Sequence, residues 1–210
     1  MIDVLVVDDH TIFRSGLRRL FSDEQDIQVA DEARNGAIAL SKLRQRMFDV
    51  VLLDISMEGR SGLEVLESMR AEYPALPVLV LSMYPEEQYA MVAMKSGANG
   101  YLSKDVEPDE LIRAIRHIAN GQRYLSSKGA EMVLMQLDGR DERPAHQKLS
   151  AREYEVMRMI VNGVSLTEIG AKMFISVKTV STHRTRILDK LGLTSNAELV
   201  KFAIRQGIET

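Results

Sequence analysis

The chain has 210 residues, 45% of them hydrophobic and 27% charged, with a net charge of −3. No apolar run approaches the ~18 residues of a membrane span, which excludes an integral membrane protein with helical spans, and the lack of cysteine excludes disulfides, zinc ribbons and thiol catalysis. The N-terminus, MIDVLVVDDH, has no basic leader and carries two acids where a cleavage site would lie, so no signal peptide is expected and the cytoplasm is the expected compartment.

The charge is unevenly spread. Residues 148–210 carry 10 Lys+Arg against 6 Asp+Glu, for +4, whereas residues 1–147 carry 17 against 24, for −7. That asymmetry predicts two domains with different partners. The polar stretch LDGRDERPAHQKLS (137–150) has no apolar periodicity and reads as linker.

In chain order, short Val/Leu/Ile runs appear at 3–7, 27–33, 49–53, 77–81 and 100–103. Amphipathic stretches lie between them, one with Ile12, Leu17, Leu20 and Phe21, another with Ala37, Leu40, Leu43 and Met47. This alternation predicts an α/β domain, a doubly wound, five-stranded parallel sheet with helices on both faces, over residues 1–121. Residues 122–147 are expected to be a linker, with a helix over Ser127–Leu137 carrying Met132, Val133 and Met135. Residues 148–210 show only helical signals. Ser150 with Glu153 is a capping box, and further starts stand at Ser165–Glu168 and Ser176–Thr179. A small all-α domain is expected there.

The polar residues of the first part stand at strand ends: Asp8 and Asp9 after the first, Asp54 after the third, Ser82 at the fourth, Lys104 after the fifth. In a doubly wound sheet these ends converge on one cleft. Clustered carboxylates repel unless a hard cation relieves them, and Mg²⁺ suits such oxygen donors. With Lys104 and a hydroxyl, the set is equipped to stabilise a transferring phosphoryl group, and Asp54 is the central nucleophile. Taken singly, an acid such as Asp8 at a strand end reads as a cap; the joint occurrence favours the pocket.

VVDDH, VLLD, LS and GYLSK resemble the receiver domain of bacterial two-component response regulators over about residues 1–120. The resemblance implies phosphorylation of Asp54 by a sensor histidine kinase. It implies Mg²⁺ held by Asp8, Asp9, Asp54 and the carbonyl of Ser56, with Ser82 and Lys104 binding phosphoryl oxygens. Tyr101, which by composition alone is a half-buried strand aromatic, would be an aromatic that rotates inward. Two positions depart from the pattern. Met57 is followed by Glu58 instead of proline, so Gly59 and Gly62 are expected to carry the turn, and Lys104 is followed by Asp105 instead of proline, which leaves the isomer of that bond unassigned. Met83 and Tyr84, bulky residues after the hydroxyl, are expected to shield the phosphoryl group. His10 is read as a helix-start residue facing solvent, with tuning of the neighbouring acid pair as the alternative.

In the last part a short helix ending near Met173, a turn through Phe174-Ile175-Ser176 and a polar-basic second helix make a helix-turn-helix pattern. A basic helix face alone would as readily be solvated. The string from LSAREYEV to ILDKLGL is similar to the LuxR-type effector domain of the NarL/FixJ family over about residues 148–208. That similarity implies base contacts from Ser181, Thr182 and Thr185 and backbone contacts from Lys178, Thr179, Arg184 and Lys190. Several family members carry lysine where Ser181 stands, so a different preferred DNA sequence is expected. Ser195–Gly207 is a candidate dimer helix, with closure of the domain's own core the equal alternative.

The resemblance thus implies a phosphorylation-switched transcription regulator. It is not an enzyme beyond its own phosphorylation and dephosphorylation. Promoter DNA, a second copy of the chain and RNA polymerase are the implied partners, with no membrane and no autoinducer ligand. Two modules and a linker account for nearly all of the 210 residues, so no sensory domain is expected. The rivals are an aspartate-nucleophile phosphatase, which would want D-x-D-x-T after the first strand, and a receiver whose last module binds protein.

Overall fold

The computed structural model describes residues 1–57, 62–84, 86–127, 129–130, 149–173, 175–206 and 208. The chain divides into two compact units, Met1–Asp138 and Gly139–Thr210.

The first unit alternates strands and helices: β1 Ile2–Val7, α1 Thr11–Ser22, β2 Ile27–Ala33, α2 Gly36–Leu43, β3 Val50–Leu53, α3 Gly62–Glu72, β4 Val78–Ser82, α4 Glu86–Lys95, β5 Gly100–Ser103, α5 Pro108–Ala119 and β6 Tyr124–Leu125. All paired strands run parallel, in the order β2-β1-β3-β4-β5-β6. The direction of winding reverses between β1 and β3, and the crevice of such a sheet opens at that point. β3 and β4 are buried throughout because helices cover both faces. Val4, Val6, Val50, Leu52, Leu79 and Leu81 pack with Leu17 and Phe21 of α1 and Leu111, Ile112 and Ile115 of α5. By the two-residue period, Leu5, Val7, Val51, Leu53, Val80 and Tyr101 face the other side.

Three details differ from the sequence expectation. Ile12 is 89% exposed, because the apolar stripe of α1 runs Phe13, Leu17, Leu20, Phe21 and Ile12 lies about 100° off it. Met47 is 91% exposed because α2 stops at Leu43; Ala39, Leu40 and Leu43 form its buried side, and Ala37 is exposed. The sheet also has a sixth strand, inside the segment expected to be linker. Two residues are too few to show a period, but Gly100 permits the strand: a Cβ there would lie 2.7 Å from the Tyr124 carbonyl oxygen. The helix expected over Ser127–Leu137 falls largely outside the described residues.

The second unit holds α6 Ala151–Val161, α7 Leu166–Met173, α8 Val177–Leu191 and α9 Asn196–Arg205. Its starts follow the capping chemistry. Ser150 and Glu153 close a reciprocal box, Ser165 and Glu168 do the same at 3.0 and 3.2 Å, and Ser176 and Ser195 accept from the third residue of their helices. Gly192 ends α8 at φ +65°, a left-handed cap that favours glycine. Val156, Met157, Ile169, Val180, Ile187, Leu199 and Ala203 build the core.

Candidate functional site

The strand ends of the first unit converge as the switch-point rule requires. Asp8 leaves β1, Asp54 leaves β3, Ser82 ends β4 and Lys104 leaves β5. Asp8, Asp54 and Ser82 are buried, and the Lys104 side chain is only 3% exposed. Its ammonium lies 2.6 Å from Asp54 Oδ2 and 2.7 Å from Asp8 Oδ2. The ring of Phe13 lies beneath that ammonium, with its centroid 4.7 Å away. Burial pushes the Asp54 carboxyl above its ordinary range, and hydrogen bonding to Lys104 opposes that rise. The backbone N–H of Ser56 donates to Asp54 Oδ1 at 2.7 Å, which fixes the carboxylate's orientation. Gly62 makes room for the loop: a Cβ would meet the Asp54 carbonyl oxygen at 2.3 Å and Ile55 Cα at 2.5 Å. Gly59 lies outside the described residues.

His10 stands at the helix start expected of it, with its side chain 57% exposed. It is the N-cap residue of α1, but its side chain makes no cap bond. Nδ1 instead turns into the pocket, 3.0 Å from Asp8 Oδ1 and 2.9 Å from Asp9 Oδ1. Asp8, Asp9, His10 and Asp54 each present a donor atom, all within 4.8 Å of one another. Three carboxylates supply the hard oxygens that Mg²⁺ requires, so the donor set fits that ion.

The hydroxyl side is equally ordered. Ser82 Oγ lies 3.0 Å from Ser56 Oγ and accepts from Tyr84 N at 3.2 Å. Tyr101 is fully buried, not half-buried, and its hydroxyl donates to the Tyr84 carbonyl at 2.8 Å. Burial raises the Tyr101 phenol, so it stays protonated and a donor. Met83 is 68% exposed, and Tyr84 stacks on Tyr89 at 4.5 Å. The Lys104–Asp105 peptide is trans.

In the second unit the turn between α7 and α8 is tight. Ile175 N donates to Gly170 O at 3.0 Å, and a Cβ on Gly170 would stand 2.9 Å from Ile175 O. α8 buries Val180, Ile187 and Leu188 and exposes Lys178, Thr179, Ser181, Thr182, Thr185 and Arg186. Thr182 and Thr185 donate their hydroxyl protons to the carbonyls of Lys178 and Ser181, at 3.0 and 3.1 Å. Each therefore turns acceptor lone pairs and a methyl outward. Arg184 and Lys190 do not stand free. Arg184 Nε donates to Asn196 Oδ1 at 2.6 Å, and Lys190 Nζ lies 2.6 Å from the buried Glu153. Burial lowers the His183 imidazole, consistent with a packed residue. On α9, Leu199 and Ala203 close the unit's own core, while Ile204 is 67% exposed.

The domains that carry these two sites are matched by comparisons with known proteins. Residues 4–116 match the response regulator receiver domain, and residues 147–203 match the luxR family of bacterial regulatory proteins. The chain is 38% identical over 209 residues to the response regulator UvrY of Escherichia coli K12, covering 99% of this chain and 96% of that one. It is 36% identical over 209 residues to the response regulator GacA of Pseudomonas aeruginosa, covering 99% and 98%. RcsB of Salmonella enterica serovar Typhimurium, solved bound to promoter P1flhDC with the phosphomimetic BeF₃⁻, shares the fold at a TM-score of 0.73 and 23% identity, over 96% of this chain and 97% of that one. The chain is a two-component response regulator with a receiver and a LuxR-type DNA-binding domain, and it belongs to the NarL/FixJ family.

Proposed function

We propose that Asp54 accepts a phosphoryl group from a sensor histidine kinase and that the charge acquired there switches promoter binding by α8. The observation that carries this is the meeting of Asp54, Asp8 and Lys104 at 2.6–2.7 Å, with the Ser82 hydroxyl at the next strand end. Asp54 Oδ attacks the phosphorus of the kinase phosphohistidine; the P–N bond breaks, an acyl phosphate P–O bond forms, and the imidazole leaves with a proton. Lys104 keeps Asp54 ionised despite its burial and then pairs with a phosphoryl oxygen. Ser82 turns from Ser56 to a second phosphoryl oxygen. Asp8, Asp9, Asp54 and the carbonyl of Ser56 would hold Mg²⁺, which supplies charge neutralisation to the transferring group. Tyr84 N, bound to Ser82 Oγ, follows the hydroxyl, and Tyr101 follows the Tyr84 carbonyl. Chemistry beyond the domain's own phosphorylation and dephosphorylation is not assigned to it.

On DNA, α8 enters the major groove. Ser181, Thr182 and Thr185 face bases, and Lys178 and Thr179 neutralise or hydrogen-bond phosphates. Arg184 and Lys190 reach phosphates only by exchanging their partners Asn196 and Glu153. Two copies on a two-fold site supply the affinity that one small module lacks, with Ile204 of α9 at the contact, and RNA polymerase is the further partner at the promoter. The protein works in the cytoplasm; among the described residues no helix is long and apolar enough to cross a membrane.

The test combines acetyl phosphate and Mg²⁺ with mass spectrometry and a DNA footprint at two salt concentrations. Wild type should gain one phosphoryl group and a changed, salt-dependent footprint. An equal adduct on Asp54→Asn would remove Asp54 from its role. A footprint unaffected by phosphorylation would remove the switch and leave the DNA-binding module intact.

A further inference from the structure

The described chain leaves the receiver along a segment joined to both β5 and α4. β6 pairs with β5 in register, Gly100 opposite Tyr124 and Tyr101 opposite Leu125. Ser126 follows directly. Its hydroxyl donates to Glu86 Oε2 at 2.5 Å and accepts from Gly129 N at 3.1 Å. Ala130 N closes the same turn on the Ser126 carbonyl at 2.9 Å. Glu86 is the first residue of α4 and is only 8% exposed. Gly129 permits the arrangement, since a Cβ there would stand 2.2 Å from Glu86 Oε1. Tyr101, opposite Leu125, is bound to the Tyr84 carbonyl, and the Tyr84 ring stacks on Tyr89 of α4.

We propose that Glu86, Ser126 and Gly129 form a latch through which α4 holds the hydrogen bonds of Ser126 to Gly129 and Ala130, at the start of the covalent route to the second unit. A buried carboxylate needs its hydrogen bonds, so Glu86 and Ser126 hold each other. Ser126 then holds the turn by accepting from Gly129. Any shift of α4 that carries Glu86 away removes the bond that orients the Ser126 hydroxyl, and the turn loosens. The dependence of this latch on phosphorylation rests on the function proposed above: Ser82 moves Tyr84 N, and Glu86 lies two residues further on. The latch itself rests only on its own geometry.

Hydrogen–deuterium exchange on the full chain tests it. Ser126→Ala and Glu86→Ala should each raise exchange in both segments, 84–95 and 122–130, by about ten-fold, as expected for loss of a charge-assisted hydrogen bond. The double variant should add nothing to either single one. Gly129→Ala should reproduce the effect by displacing the carboxylate while both polar partners remain. Effects confined to the segment that carries each substitution overturn the latch. With Mg²⁺ and beryllofluoride, wild type should gain exchange at 122–130 and Ser126→Ala should not. An adduct visible by fluorine NMR with no change at 122–130 overturns the link to phosphorylation. Absence of the adduct counts against the role of Asp54, and the reciprocal exchange test then still decides the latch.

Discussion

Replacing Lys104 with methionine keeps an unbranched apolar stem and removes the ammonium, together with its contact over the Phe13 ring. That ammonium lies 2.6 Å from one buried carboxylate oxygen and 2.7 Å from another. At an effective dielectric near 20, each such pair attracts by roughly 6 kcal/mol. Desolvation of three buried charges offsets much of this. The net cost of deleting one partner from a buried cluster is therefore about 3–5 kcal/mol, because the remaining charges are left uncompensated. Thermal and urea unfolding in chelator at pH 7 should show that loss in one transition, with the second unit's transition unmoved. The loss should shrink on acidification. Asp54 is already raised above 3.8 by burial, and without Lys104 the opposing hydrogen bond is gone. A carboxyl raised in the folded state binds more protons there than in the unfolded chain. Stability therefore rises as pH falls through the folded value toward 3.8. Millimolar Mg²⁺ at pH 7 should restore part of it as well. A variant within 1 kcal/mol of wild type in chelator, or a deficit indifferent to pH, would refute the view that one lysine balances the pocket.

Gly62→Ala places a methyl 2.3 Å from the Asp54 carbonyl, and backbone cannot yield cheaply; we expect about 1–3 kcal/mol of destabilisation in urea and slower acetyl-phosphate labelling, and neutrality in both would contradict the close approach. Lys178→Ala should weaken DNA binding evenly across sequences and lower the slope of log K against log salt by about one, whereas Thr182→Ala should change base preference and leave the slope alone. Glu153 is raised by burial, but its bonds to Lys190 and Ser150 win and leave it lowered. Its contribution is therefore present above 4.5 and is lost as pH falls through the folded value. Glu153→Gln should flatten the acid limb of the second unit's stability followed by circular dichroism, and an unchanged acid limb would show that the Glu153 charge contributes nothing there.

Much of the site was legible because strand ends are legible. A Val/Leu run closed by Asp54 announces both a buried parallel strand and the position of its last residue, so Asp8, Asp54, Ser82 and Lys104 could be assigned to one rim. Serine caps are local chemistry, which is why Ser150, Ser165, Ser176 and Ser195 mark the helix starts in the second unit. Features that depend on side-chain direction were not legible. His10 keeps its exposed helix start, but which acid oxygens its Nδ1 meets depends on the rotamer, which chain position does not encode. Tyr101 is wholly buried because Tyr84 offers it a carbonyl from another strand end. Lys190 and Arg184 look like free cations in the sequence, yet Glu153 and Asn196, 37 and 12 residues away, engage them.

The sequence by itself determined the two folds, the order of their elements, the residues at the rim and the composition of α8. Those follow from periodicity, capping and strand punctuation, which act over a few residues. Tertiary structure alone decided how the charges are matched, that a sixth strand joins the sheet, and that Glu86 holds Ser126. Each of these depends on groups brought together across dozens of residues, where burial makes a hydrogen bond or ion pair obligatory and the partner is whichever group the fold delivers.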